Sequence, residues 1–388
     1  MHFMNPKRPA EEAYILRNNK GESEMKILFI GGTGTISQAI TRSLVERGDE
    51  VTLVNRGNRN GAFAGKVNEI HVSDVNNEEE LTSKINAFLI SKSNADALNE
   101  TVGQVPANER APYFDAVCDF ICFHKEQAER DFRVFQGKTK QFFFISSASA
   151  YHKPVKDYMI TEGTTLANPY WQYSREKIEI EEYLLECYKT YGFPVTLIRP
   201  SHTYDERSIP LGVHGKMGSY QVIDRMLKGK PVIIHGDGTS LWRMTFNEDF
   251  AKGFVGLIGN SHAIGEAFHI TNEETLTWNQ IYETIAKALN VELKPYYVAS
   301  EFLASCSDYD FMGSLIGDKS NSVVFDNTKL RRAVPGLNMN IRFEDGIKRT
   351  VDYVLSHPEC QIPDPEFDAW CDKVIEKLEE AKKAILAE

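Results

Sequence analysis

The sequence predicts an α/β fold: a Rossmann-type doubly wound parallel sheet followed by a smaller, mixed C-terminal substrate lobe. Two observations carry this. A short apolar run, Lys26-Ile27-Leu28-Phe29-Ile30, meets the glycine turn Gly31-Gly32-Thr33-Gly34, and the hydrophobic period then changes from strand to helix. Strand-like and helix-like patterns go on alternating as far as Pro200, as in a parallel sheet with crossover helices. After Pro200 the pattern is mixed. The expected division is an N-terminal extension over 1–24, a sheet-bearing unit over 25–200 and 245–263, and a lobe over 201–244 and 264–388 that ends in a helix.

The turn comes first. Ile36, Ala39, Ile40, Leu44 and Val45 recur at three- and four-residue steps and share one helix face, and Gly48 supplies the stop. The glycines therefore join a strand to a helix, the context in which such a turn cradles a pyrophosphate at the positive helix end. Gly31 and Gly32 permit the tight turn, and Gly34 lets backbone N–H groups approach the ligand. Ser37 takes the place of the usual third glycine and is small enough for close helix–strand packing. Gly31, Gly34, Thr35 and Ile36 are the candidate contacts of a dinucleotide cofactor. The alternative is an ordinary glycine-rich strand–helix connection.

The second strand, Glu50 to Val54, ends at Asn55-Arg56-Gly57. An NAD site usually places an acidic residue here for the ribose hydroxyls. Asn55 still hydrogen-bonds but does not repel a 2′-phosphate, and Arg56, with Arg59 nearby, is able to pair with one. The expected cofactor is NADP or NAD, with NADP favoured. Arg56 is otherwise a solvated loop residue.

Another apolar strand, Gln141 to Ile145, leads into Ser146-Ser147-Ala148-Ser149-Ala150-Tyr151. Ligands gather at the carboxyl ends of parallel strands, so these serines are well placed. Tyr173 and Lys177 follow, four apart on one face of an expected helix. A charged Lys177 beside the phenol is expected to lower the Tyr173 pKa. Tyr173 then exchanges a proton with a substrate hydroxyl during hydride transfer, while Ser147 holds the reacting oxygen. The alternative for Tyr173 and Lys177 is a helix-surface pair.

With these residues the chain resembles the extended short-chain dehydrogenase/reductase family, of the NAD-dependent epimerase/dehydratase type, from about Met25 to about Leu355. The resemblance implies that Ser147, four residues before Tyr151, is the catalytic serine, with Tyr173 as acid/base and Lys177 as its partner and ribose anchor. It implies an adenine contact at Asp74-Val75. Arg199-Pro200-Ser201-His202-Thr203-Tyr204, His235-Gly236-Asp237-Gly238, Asp249-Phe250-Ala251 and Phe343 to Ile347 resemble later landmarks. Several places depart from the pattern. His202 and Tyr204-Asp205-Glu206 replace an asparagine and a Tyr-Gly-Pro. The family's diphosphate-binding arginine falls at Trp242, with Arg243 one residue late. Ala148-Ser149 stand where sugar 4,6-dehydratases carry an Asp-Glu pair, so dehydration by that route is not expected. The implied activity is an NAD(P)-dependent oxidoreductase or epimerase acting on a sugar or nucleotide-sugar. The alternative is a redox-inactive dinucleotide-binding protein of the same fold that binds RNA or senses the cofactor. His202, His214 and Arg243 are candidate substrate contacts. A homodimer is implied, with Ile178, Tyr183, Leu184 and Tyr188 as apolar surface, unless they face the sheet.

Composition sets outer limits. The 388 residues are 42% hydrophobic and 26% charged, with net charge −11. This acidic balance does not favour nucleic acid as a partner. No apolar stretch is long enough to span a membrane and the start lacks a signal-peptide core, so a cytoplasmic location is expected. Six scattered cysteines contain no Cys-x-x-Cys pair, so no metal is expected. Cys118 and Cys122 read as buried hydrophobes of the run from Val117 to Phe123, with Cys122 near the cofactor as a second reading. A helix is expected near 10–17, a polar insertion over 91–113, and a mobile substrate loop from Asp205 to Tyr220. The C-terminal helix is expected to carry Trp370, Val374, Leu378 and Ile385 on one face.

Overall fold

Seven parallel strands form the central sheet: β1 (Lys26–Ile30), β2 (Glu50–Asn55), β3 (Asn68–His71), β4 (Ala116–Asp119), β5 (Phe142–Ile145), β6 (Val195–Pro200) and β7 (Ala267–Ile270). The computed structural model describes residues 24–57, 60–99 and 113–387. The expected helix near 10–17, Arg59, Pro106 and Pro112 lie outside the described residues. Strand order is β7-β6-β5-β4-β1-β2-β3. The direction of winding reverses between β1 and β4, and a crevice at their carboxyl ends is where such a sheet binds ligands.

Both faces of the sheet are buried, which explains why its strands read as apolar runs rather than alternating ones. Ile27 and Phe29 of β1 pack with Ala39, Ile40 and Leu44 of α1 (Ser37–Arg47). Leu28 and Ile30, one step out of phase, pack instead with Ile85 of α2 (Glu78–Asn99), Val134 of α3 (Lys125–Phe135) and Ile180 and Leu184 of α4 (Gln172–Tyr191). α1 stops at Gly48, whose φ of 92° suits glycine. A third core, with Trp278, Tyr282, Ile347 and Phe367, fills the lobe and reaches Ala148 and Tyr151 beside the candidate site.

The structure changes several expectations. α2 continues to Asn99, so the first part of the 91–113 stretch is helix rather than loop. β4 ends at Asp119, which leaves Cys122 beyond the strand, although still buried. Leu184 is fully buried against its own sheet and offers nothing to a partner subunit. From Asp205 to Tyr220 the chain is anchored: residues 209–213 are all buried, with Ile209, Leu211 and Val213 in the lobe core. In the helix Pro365–Leu386, Val374 is buried but Ile385 is 74% exposed, because the last turns project past the core.

A buried ion pair ties these layers together. Arg199, in β6, donates from Nε to Glu181 Oε1 of α4 at 2.9 Å and from Nη2 to Oε2 at 2.5 Å. Its Nη1 donates to the Tyr151 hydroxyl at 3.2 Å and to the Glu162 carbonyl at 3.1 Å. Removing the cation alone strands a carboxylate that is 1% exposed. Arg199→Leu should therefore cost about 3–5 kcal/mol in urea unfolding, and Glu181→Leu/Arg199→Leu should recover most of that loss. A loss below about 1 kcal/mol in the single variant would contradict this account of the pair.

Candidate active site

The glycine turn assigns different duties to its glycines. Gly31 has φ +92°, and a Cβ on Gly32 would lie 2.4 Å from Leu53 Cδ2, so the close approach to β2 requires glycine there. A Cβ on Gly34 would meet only Ser37 Oγ, at 3.5 Å. Nothing in the chain needs Gly34 bare, and the space over it is open to a ligand. Ser37 is 1% exposed, so it packs as its small size predicts, and its hydroxyl also accepts the Gly34 N–H at 2.9 Å. The Thr35 carbonyl accepts from Asn247 Nδ2 at 3.2 Å, and Ile36 leads into α1. At the end of β2, Asn55 Oδ1 accepts the Gly57 N–H at 2.7 Å, and Arg56 is exposed. Asp74 is exposed with its Oδ1 on the Asn76 N–H, and the Val75 carbonyl accepts from Arg130. The open backbone at Gly34, the start of α1 and the polar ends of β2 and β3 fit a dinucleotide.

Ser147 and Tyr173 line one cavity of about 280 Å³ at the carboxyl end of the sheet. Ser147 caps the short turn after β5, accepting the Ser149 N–H at 3.2 Å. A chain of hydroxyls steadies it: Ser147 Oγ lies 2.8 Å from Ser149 Oγ, which accepts from Ser174 Oγ at 2.7 Å. Asn168 Nδ2 donates to the Ser149 carbonyl at 2.8 Å and to the Gly317 carbonyl at 2.7 Å. Lys177, one turn beyond Tyr173, is 2% exposed. Its Nζ donates to the carbonyls of Cys122 at 2.6 Å and Ile145 at 2.9 Å, and lies 5.6 Å from the centre of the Tyr173 ring. Burial lowers its pKa to about 8.

The expected effect of Lys177 on Tyr173 is not present. Burial raises the Tyr173 pKa, the Ser147 hydroxyl pulls it down, and the Asp318 charge raises it again. The Lys177 ammonium is directed at two carbonyls rather than at the phenol oxygen. Tyr173 is thus held in its protonated, acid form.

Of the candidate substrate contacts, His202 lines the cavity and also a neighbouring one of about 170 Å³ that holds Thr35 and His214. Burial brings the His202 pKa down to about 3 and lowers that of His214, so both rings are neutral. Arg243 is a correction. It points away, donating to Thr275 Oγ1 at 3.0 Å and the Phe325 carbonyl at 2.5 Å, and burial lowers its pKa to about 10. Adjacent residues of an extended chain face opposite sides, so Trp242 takes the cavity and Arg243 the reverse.

One buried group of possible metal ligands is present among the described residues: Asp119, Cys122 and Asp131. Arg130 already occupies it, with Nη2 at 2.6 Å from Asp119 Oδ2 and 2.7 Å from Asp131 Oδ1. Burial, and then the Asp119 charge, push the Asp131 pKa up.

Residues 123–271 match the sequence model of the NAD dependent epimerase/dehydratase family. The matched stretch holds Ser147, Tyr173 and Lys177. It is 23% identical to a 2′-dehydrokanamycin reductase of Streptomyces kanamyceticus, over 75% of this chain and 74% of that one. It is 26% identical to a chloroplast stem-loop binding protein of Arabidopsis thaliana, over 69% and 64%. A dTDP-glucose 4,6-dehydratase of Neisseria gonorrhoeae is 23% identical over 87% and 97%. Among solved structures, the UDP-glucuronic acid 4-epimerase of Bacillus cereus in complex with NAD aligns with TM-score 0.62 and 17% identity, over 86% of this chain and 99% of that one. The neighbour carries NAD, so the NADP preference expected from Arg56 gains no support there. No helix among the described residues is long and apolar enough to cross a membrane.

Sequence reasoning missed most of the wall facing Ser147: Lys153, Trp171, Asp318 and Lys319. Asp318 and Lys319 come from a π-helical stretch, Met312–Lys319, remote in sequence and without a motif. Lys153 follows Tyr151 closely in sequence, the one signal within reach.

Two measurements test this geometry. Gly32→Ala should cost about 1–3 kcal/mol through its clash with Leu53, whereas Gly34→Ala should leave the urea midpoint unchanged or higher. Equal losses would contradict the division of duties. The second concerns pH. The folded-state pKa of Lys177 is lowered from 10.5 to about 8. Between those values the unfolded chain holds a proton that the folded chain has released, so stability rises with pH across that window. Measured against Lys177→Met, the wild type should gain about 3 kcal/mol from pH 8 to pH 10.5. A flat difference would mean that the ammonium is not desolvated.

Proposed function

We propose that the chain is an NAD(P)-dependent oxidoreductase or epimerase that acts on a sugar or nucleotide-sugar. The observation that carries this reading is the shared cavity: Ser147 and Tyr173 line it together, with the Lys177 ammonium 5.6 Å from the tyrosine ring centre. A bound nicotinamide dinucleotide supplies the hydride acceptor or donor. Its pyrophosphate would lie over Gly34 and the start of α1, and Lys177 would anchor its ribose. In the oxidative direction Tyr173 first releases its phenolic proton to solvent, and the substrate C–H then leaves as hydride while the hydroxyl proton passes to the Tyr173 phenolate. In the reductive direction the protonated Tyr173 gives its proton to the oxygen of the new alcohol. Ser147 donates a hydrogen bond to that oxygen, and Ser149 and Ser174 fix its rotamer.

Ala148 and Ser149 provide no acid/base pair beside Ser147, which favours oxidoreduction or epimerisation over dehydration although dehydratases occur among the relatives. The stem-loop binding relative supports a second reading, a nucleic-acid-binding protein of the same fold. The complete Ser147, Tyr173 and Lys177 set and the net charge of −11 weigh against it.

Mass spectrometry of the small molecules that copurify with the native chain is the route to a substrate. With that substrate, Tyr173→Phe should lower turnover by ~10²–10⁴-fold while leaving NAD(H) affinity largely intact, and Ser147→Ala should cost less. Wild-type turnover in Tyr173→Phe would overturn the mechanism. Stem-loop RNA binding, without dinucleotide-dependent turnover of any sugar substrate, would favour the second reading.

A further inference from the structure

The wall opposite Ser147 holds polar groups that hydride transfer does not use. Lys153 is 2% exposed and lines the cavity, yet among the described residues its ammonium has neither a hydrogen bond nor an ion pair within 4 Å. Burial lowers its pKa, and the nearby Asp318 charge raises it. Lys319 lines the same wall, with its Nζ 3.7 Å from Asp318 Oδ2 and 3.4 Å from the Ser314 carbonyl. His202, the remaining titratable group of the wall, is neutral. Two ammonium groups thus stand against one carboxylate.

A buried ammonium without an ion-pair partner is expensive. One ligand feature satisfies both lysines: an anionic group. We infer that Lys153 and Lys319 form an anion subsite for a carboxylate or phosphate carried on the reacting sugar itself. The subsite and Tyr173 share one cavity of about 280 Å³, so the anion and the reacting hydroxyl belong to the same compact part of the substrate. The cation at this wall comes from Lys153 and Lys319. Asp318 offsets part of the lysine charge, which keeps the subsite tolerable before the ligand arrives. This inference rests on the cavity being the substrate site of the proposed function.

Trp171 and Trp242 line the cavity, so tryptophan fluorescence reports its occupancy. The full-length chain, with and without saturating NAD, is titrated with glucuronate, glucose 1-phosphate and glucose. At least one anion should bind about tenfold or more tightly than glucose. Selectivity for glucuronate alone assigns a carboxylate, and selectivity for glucose 1-phosphate alone assigns a phosphate ester. Lys153→Met and Lys319→Met should each remove the preference, Lys153→Arg should keep part of it, and the distant, exposed Lys382→Met should leave it intact. An unchanged circular dichroism spectrum and unchanged NAD affinity establish that each variant is folded. Equal binding of all three sugars, no saturable binding of either anion, or a preference that survives Lys153→Met overturns the subsite. If that happens while NAD still binds and Tyr173→Phe is inactive, the proposed function stands without it. If anion selectivity is seen but NAD does not bind, the function fails and the subsite remains.

Discussion

The contact of the Lys177 ammonium with the carbonyl oxygens of Cys122 and Ile145 organises the candidate site. Ile145 is the last residue of β5 and Cys122 lies in the segment that follows β4, so one side chain of α4 is fixed to a strand end and to the chain beyond its neighbour. With Lys177 fixed, Tyr173 lies one helical turn away at the cavity mouth, and Ser174 reaches back to Ser149 and through it to Ser147. An ammonium that is 2% exposed is costly in isolation. It is tolerated because both carbonyl oxygens are turned toward it.

The second tie, from Arg199 to Glu181, holds the same face of the helix one turn further on. Both partners are buried, and the arginine also engages Tyr151 and the Glu162 carbonyl. α4 is therefore clamped to the sheet by polar contacts at Lys177 and Glu181, with Ile180 and Leu184 packed between apolar neighbours. Buried ion pairs add little net stability, and this one fixes how the helix that carries Tyr173 and Lys177 sits on the sheet.

Much of this was legible in the sequence because the sheet and its glycine turn obey local rules. The stop of α1 at Gly48, the apolar strands and the four-residue spacing of Tyr173 and Lys177 all depend on neighbours in sequence. What was not legible depends on neighbours in space. The tyrosine pKa rises rather than falls because burial desolvates the phenol, with a smaller push from the Asp318 charge far along the chain, while the lysine is turned toward carbonyls. Arg243 leaves the cavity because strand alternation gives that side to Trp242. The loop from Asp205 to Tyr220 read as mobile from its glycines, yet Ile209, Leu211 and Val213 pin it. A glycine count overstated freedom where the burial of consecutive residues decided the outcome.

The stretch Met312–Lys319 has one further consequence. Ser320 N–H donates to the Leu315 carbonyl, five residues back, at 2.9 Å. Such a turn is an α-helix with one residue inserted. Deleting that residue would restore the ordinary helical pitch and rotate everything after it by about 100°. Asp318 and Lys319 would swing off the cavity while Ser147, Tyr173 and Lys177, carried by the sheet and α4, stayed in place. Within this architecture a change of one residue in length would alter the lining of the cavity while leaving Ser147, Tyr173 and Lys177 where they stand.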